Sequence, residues 1–285
     1  TALFVAPAAS ALSLEKARQA MVQHNPELLS VAQELRGMQG DAAGATLRPS
    51  PELSVGTSKF SPHHGVGGGR WKDKRLDTTA GISWTWERGG KRTLRERQAQ
   101  ALLEAAEMDV QDEARRQTVA LHELYYGLKA AQDMARIAGE NRRSADELMV
   151  AARRQVATGA IAPVELARLS VDALAVADEA RDAEADLRQA RTALALLIGA
   201  EAPDALSADD PWPDTTQNTT LATLDLDLNR RADLRAATAR LGAADAGVAL
   251  ARSERHRDIA LGIEAEREPD DISGVTWGLT VSVPL

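Results

Sequence analysis

Apolar and small residues recur at alternating steps of three and four through two long stretches of this chain. In the first they are Leu121, Leu124, Leu128, Ala131, Ala135, Ala138, Ala145, Met149, Ala152 and Val156, with Arg142 out of character in the same register. In the second they are Leu166, Leu169, Ala173, Val176, Ala180, Ala183, Leu187, Ala190, Leu194 and Leu197. Steps of three and four hold one stripe on one face of a helix, so each stretch predicts a long helix with a heptad seam. Between them stand Thr158, Gly159, Ala160, Ile161, Ala162 and Pro163. Gly159 suits a left-handed helix end, and Pro163 suits a first helical turn, where its missing N–H loses no partner. Folding at this break sets Met149 beside Ala173, Ala145 beside Val176 and Ala135 beside Leu187, large mostly against small, which lets two backbones approach closely.

The outgoing helix, 94–157, has about 64 residues and extends roughly 95 Å at ~1.5 Å per residue. The return, 163–199, covers about 55 Å, and a later helix starting near 221 or 229 and ending near 254 supplies the remainder. At the front of the chain Ser13 caps a helix whose stripe is Leu14, Ala17, Met21, Leu28, Val31, Ala32 and Leu35. His24-Asn25-Pro26 marks a break in it, and Arg48-Pro49-Ser50-Pro51 its end.

The period changes to two in four short stretches. Leu53, Val55 and Thr57 alternate with Ser54, Gly56 and Ser58, and Ala80, Ile82, Trp84 and Trp86 alternate with Thr79, Gly81, Ser83 and Thr85. Later, Ile259, Leu261 and Ile263 alternate with Ala260, Gly262 and Glu264, and Val275, Trp277, Leu279, Val281 and Val283 with Thr276, Gly278, Thr280 and Ser282. Strands apolar on one face, small and polar on the other, with Trp near an end, match membrane β-barrel hairpins; a soluble hairpin on a protein core gives the same alternation.

The later pair belongs to a repeat. Leu28 and Leu234, Leu35 and Leu241, Leu53 and Ile259, and Gly56 and Gly262 are each 206 positions apart. In the first copy the second strand feeds the long hairpin, whereas the second copy stops at Pro284-Leu285. The expectation is a fragment lacking a second hairpin of roughly 110–140 residues. The opening, TALFVAPAASA, ends in a small-x-small pattern, and the expectation is a signal-peptide remnant with maturation near Leu12.

Composition narrows the class. The chain has 285 residues, is 44% hydrophobic and only 3% aromatic, which suits thin Ala- and Leu-rich helices better than a large compact core. A net charge of -8 without basic clusters argues against a nucleic-acid partner. Zero cysteines exclude disulfides, thiolate metal sites and a thiol nucleophile. No apolar run reaches the roughly 18 residues of a membrane helix, so any crossing of a bilayer is by strands. No nucleophile, base and orienting group fall together, so the sequence predicts no enzyme and no cofactor.

Helix, strand pair, long helical hairpin, connector, then the same helix and strand pair again resembles the TolC-type outer-membrane efflux family over almost the whole chain from Leu12. Glu87-Arg88-Gly89-Gly90-Lys91-Arg92 is similar to the signature at the strand-to-helix passage in the heavy-metal (cobalt-zinc-cadmium) branch. Arg188-Gln189-Ala190-Arg191 through Leu196-Leu197-Ile198-Gly199 resembles the usual end of the return helix, and Arg231-Ala232-Asp233-Leu234-Arg235 the opening of the second repeat. The resemblance implies a mainly α fold with membrane β-strands: a long antiparallel helical hairpin as α-barrel element, and two β-hairpins contributing to a trimeric 12-stranded outer-membrane barrel. It also implies a location in the outer membrane of a Gram-negative bacterium with a periplasmic helical extension, and passive export in a tripartite system with a periplasmic adaptor (membrane fusion) protein and an inner-membrane proton-driven pump. The expected cargo is divalent heavy-metal cations; a duct for drugs or other organic compounds, or a soluble periplasmic coiled-coil adaptor or scaffold, are the competing readings.

These readings divide the chain into 1–11 (signal remnant), 12–50 (N-terminal helical segment), 51–87 (first β-barrel hairpin), 88–199 (long helical hairpin), 200–228 (connector, a loop by composition), 229–256 (second-repeat helix) and 257–285 (second β-barrel hairpin). The expected lipid-facing residues are Leu53, Val55, Ile82, Trp84, Trp86, Ile259, Leu261, Ile263, Trp277, Leu279, Val281 and Val283. The expected adaptor-docking and gating tip is Thr158 to Pro163. Arg142 either pairs with Asp146 or a neighbouring subunit, or is a solvated residue at a leaky seam position. His63-His64 invites a metal-ligand reading in an exporter, against the simpler one of a solvated pair on a Gly-rich loop. His24, His122 and His256 stand alone, and Asp209-Asp210 and Asp270-Asp271 read as turn formers.

Overall fold

The computed structural model describes residues 10–58, 68–70, 76–214, 228–268 and 274–284. In chain order the elements are β1 (Ser10–Leu12), α1 (Leu14–His24), α2 (Pro26–Ala45), β2 (Glu52–Ser58), β3 (Asp77–Trp86), α3 (Lys91–Ala157), α4 (Pro163–Ile198), β4 (Leu206–Ala208), α5 (Ala232–Ser253), β5 (Ile259–Arg267) and β6 (Thr276–Ser282). They gather into two compact units, Thr1–Gln33 with Asp109–Ala232, and Glu34–Met108 with Asp233–Leu285. Helix α3 contributes to both.

In the first unit every predicted seam position of α3 and α4 is buried or half-buried, and Arg142 is exposed. The core joins Ala17 and Met21 of α1 to Leu121, Tyr125 and Leu128 of α3, Leu194 and Ile198 of α4, and Leu206 and Ala208 of β4. Helix α1 ends at Asn25, a buried residue that serves three backbones at once. Its Nδ2 donates to the Leu197 carbonyl at 3.0 Å, its Oδ1 accepts from Leu28 N at 3.0 Å to start α2, and its own N–H donates to the Met21 carbonyl. Pro26 follows as the first residue of α2, where no helical N–H is required.

The connector departs from the expectation of a loop. Pro203–Ala205 forms a 3-10 turn, Leu206–Ala208 forms β4, and Leu228–Arg230 forms a second 3-10 turn. Strand β4 pairs in parallel with β1, with Ser10 opposite Leu206, Ala11 opposite Ser207 and Leu12 opposite Ala208. The physical reason lies in side chains remote in sequence. The Tyr125 hydroxyl donates to the Leu12 carbonyl at 2.7 Å and accepts from Asp210 N at 3.2 Å. Gln132 donates to Ser207 Oγ at 2.8 Å and accepts from Ala208 N at 3.0 Å. Burial pushes the Tyr125 hydroxyl above its ordinary value, so it stays neutral and able to do both. Residues 1–9 of the expected signal remnant lie outside the described residues; Ser10 and Ala11 belong to β1.

Two other boundaries shift. Helix α3 starts at Lys91, three positions before the predicted start, because Leu94 N bonds to the Gly90 carbonyl and so closes the first turn there. The second-repeat helix starts at Ala232, later than either predicted start, behind the turn at Leu228–Arg230.

In the second unit the two strand pairs form one antiparallel sheet in the order β2-β3-β5-β6. The two halves of the repeat join through β3 and β5, with Ile82 opposite Ile263 and Trp84 opposite Leu261. Helix α5 buries Ala236, Ala243 and Ala246 on a seven-and-three spacing, the small-residue stripe of a closely packed helix. A Cβ at Gly247 would stand 3.0 Å from Gln98 Nε2, so the end of the Gln98 side chain of α3 reaches α5 at this glycine.

Candidate functional site

The sheet has two chemically opposed faces, because strand pairing aligns the alternations of all four strands. One face carries successive rows: Trp86 and Ile259; Trp84, Leu261 and Val281; Leu53, Ile82, Ile263 and Leu279; and Val55, Ala80, Ala265 and Trp277. Trp stands at both ends of this apolar band, Trp84 and Trp86 near the helices and Trp277 at the far end. Beyond Trp277 the row turns polar with Thr57, Thr78 and Arg267. Leu279 is 82% exposed, Leu53 77% and even the inner-strand Ile82 45%, so among the described residues no protein layer covers the face. The twelve residues expected to face lipid lie on it or, for Val283, just past the end of β6.

The opposite face reads Glu52, Ser83, Gly262 and Thr280; Ser54, Gly81, Glu264 and Gly278; and Gly56, Thr79, Glu266 and Thr276. The glycines make room for Glu264, whose Oε1 lies 2.8 Å and Cγ 2.9 Å from where a Cβ at Gly278 would stand. Among the described residues these rows carry carboxylates and no Lys or Arg.

The Gly-Gly-Lys-Arg signature is a corner between strand and helix. Gly89 and Gly90 both adopt left-handed backbone, φ +74 and +70, and a Cβ at Gly89 would stand 3.0 Å from the His256 ring. The corner is then tied to the start of β5. Lys91 Nζ donates to Asp258 Oδ1 at 2.8 Å and Arg88 N donates to the same oxygen at 3.0 Å. Arg95 clasps the Glu87 carboxylate in a two-pronged pair, one arm of it Nη2 to Oε2 at 3.0 Å. Burial works to raise the Asp258 carboxyl, but Lys91 and the Arg88 N–H outweigh it and hold it below its ordinary value. Sequence reasoning found the glycines and missed Asp258, because its partners are more than 160 positions away.

At the hairpin tip the expected residues come together in one turn. Ala160 N bonds to the Gln155 carbonyl at 2.8 Å and Gly159 N to the Val156 carbonyl at 3.0 Å, with Gly159 at φ +75. That is the paired-bond ending that a C-terminal glycine permits, and Pro163 then opens α4. Ile161 is half-buried and the other five are exposed.

The remaining candidates separate from these features. The rings of His24, His122 and His256 each bond a carbonyl of their own helix or its final turn. Asp210 does more than shape a turn, since its Oδ2 accepts from Leu14 N at 2.6 Å and so caps α1 from the connector. Trp212 is anchored on α3 through Nε1 to Asp133 at 3.2 Å and by stacking on Tyr126 at 5.9 Å. His63, His64, Asp270 and Asp271 lie outside the described residues. Among the described residues no three His, Asp or Glu side chains converge as a metal site, and no helix is long and apolar enough to cross a membrane.

The two-faced antiparallel sheet and the long helical hairpin are elements this chain shares with the fold of solved outer-membrane channel structures. Residues 17–200 match the family described as outer membrane efflux protein, and the chain belongs to that family. It is 27% identical over 290 residues to the cobalt-zinc-cadmium resistance protein CzcC of Cupriavidus metallidurans, covering 99% of this chain and 65% of that protein. Its fold is similar to that of the outer membrane channel CmeC of Campylobacter jejuni, with a TM-score of 0.75 and 18% identity over 95% of this chain and 61% of that one. It is also similar to CusC, with a TM-score of 0.71 and 16% identity over 95% of this chain and 65% of that one.

Proposed function

We propose that this chain belongs to the passive exit duct of a tripartite efflux system in the outer membrane of a Gram-negative bacterium, and that its cargo is divalent heavy-metal cations. The observation that carries the reading is the sheet, with an uncovered apolar band edged by Trp on one face and Ser, Thr, Gly and Glu on the other. In a bilayer the first face meets lipid and the second lines water. The edge strands β2 and β6 leave backbone groups unpaired, and hydrocarbon does not tolerate that, so copies must pair edge to edge. Three copies of four strands close a 12-stranded barrel, with the helical hairpins as its periplasmic continuation. The turn from Thr158 to Pro163 is the docking and gating tip for a periplasmic adaptor protein, which couples the duct to an inner-membrane proton-driven pump.

Cation cargo is supported by the carboxylates of Glu264 and Glu266 on the water-facing side and by the likeness to a cobalt-zinc-cadmium resistance protein. Deleting the intact gene should lower tolerance to zinc, cobalt or cadmium, and unchanged tolerance to all three removes the metal cargo in favour of organic compounds. Fractionation tests the location: the protein should appear in the outer membrane as heat-modifiable trimers, and recovery in periplasmic extract would refute the duct.

A further inference from the structure

The helix-side end of the apolar band opens onto a cavity of about 760 Å³ between the segment entering β2 and the segment leaving β3. Arg48, Pro49 and Pro51 line one side, and Trp84, Trp86 and Arg92 the other. Glu87 also lines it, but its carboxylate is held by Arg95. Among the described residues neither Arg48 nor Arg92 has an ion-pair partner. Arg92 is half-buried and sits in the first turn of α3, which holds no acidic residue. A cation there opposes the helix dipole, so the first turn favours an anion that neither Arg92 nor Lys91 supplies. Lys91 is engaged by Asp258; Arg92 is not.

We infer that this cavity binds the phosphodiester headgroup of an anionic phospholipid, with its acyl chains laid along Trp84, Ile82 and Leu53. The inference rests on the membrane reading of the sheet. Charge complementarity selects the occupant: two guanidinium groups line the cavity at the level where Trp residues mark the bilayer interface. The chain as a whole carries a net charge of -8, so general attraction to an anionic surface does not explain a headgroup preference.

The test uses the intact protein in bilayers and the fluorescence of its Trp residues. In a bilayer made wholly of brominated phosphatidylcholine, quenching reports insertion alone. With a small fraction of brominated phosphatidylglycerol in unbrominated phosphatidylcholine, quenching should exceed that from the same fraction of brominated phosphatidylcholine. Replacing Arg48→Gln and Arg92→Gln should cut this preference by roughly fivefold per guanidinium, while Arg97→Gln, the same charge change outside the cavity, should leave it intact. If the double variant does not insert, Arg48→Gln alone, in an exposed segment, takes its place. Equal quenching by the two headgroups in the wild type, or an equal loss in Arg97→Gln, overturns the site. Absence of quenching in the wholly brominated bilayer overturns the membrane reading instead.

Discussion

Lys91 Nζ and Asp258 Oδ1 lie 2.8 Å apart, joining the first turn of the 67-residue helix α3 to the residue before β5. Both side chains are mostly buried, at 12% and 29% exposure, so solvent does not replace a lost partner cheaply. Replacing Lys91 by Met should cost about 1.5–3 kcal/mol in denaturant unfolding, since it leaves Asp258 with only the Arg88 N–H.

The same carboxylate predicts a pH response. Its folded pKa lies below the ordinary value, so folding favours the charged form. The contribution is complete above the ordinary carboxylate value and is lost as the pH falls from there through the depressed value. Wild-type stability should decline across that acid window, and the decline should be shallower in Asp258→Asn.

Two glycines with the same backbone should respond differently. Gly159 has φ +75 and nothing within 4 Å of an added Cβ, so Gly159→Ala should cost only the left-handed backbone, about 1–2 kcal/mol. Gly199 has φ +69, and its Cβ would meet His24 Cβ at 2.6 Å and the His24 carbonyl oxygen at 3.2 Å. Gly199→Ala should therefore cost about 1–3 kcal/mol more, as overpacking does. Equal midpoints in urea would contradict the contact with His24.

Tyr125→Phe keeps the buried ring but removes the hydroxyl between Leu12 and Asp210. The expected loss is about 1–2 kcal/mol, felt first as faster hydrogen exchange at the Asp210 amide and in β4, with the α3 interior unchanged.

Leu279 and Thr280 are neighbours on opposite faces of β6. On the proposed orientation, Leu279→Arg should cost about 2–4 kcal/mol against lipid and deplete the proposed heat-modifiable trimers, while Thr280→Arg, on the face proposed to line water, should leave them at wild-type level. Equal assembly of the two variants would argue against the proposed orientation of the sheet.

Much of this was legible because the signals are local. The heptad stripe through Leu121 and Leu194, the Gly159–Pro163 break, and the alternation at Ile82 and Leu279 are set by side-chain periods within single elements. The connector reads as a loop because Leu206, Ser207 and Ala208 are too few to show a period, and the residues that fix them, Tyr125, Gln132 and Leu12, lie far away in sequence. Asp258 carries no local mark either, being one acidic residue at the end of a turn.

The sequence alone determined the long helices, the four strands of the large sheet, the turn at Gly159 and the two chemical faces of each of those strands, since these follow from periodicity and backbone preference. Only the tertiary structure decided that β3 pairs with β5, that Asp258 anchors Lys91, and that Asp210 caps α1. Each of those depends on a hydrogen bond or ion pair between residues remote along the chain, whose formation requires the rest of the fold to bring them within about 3 Å.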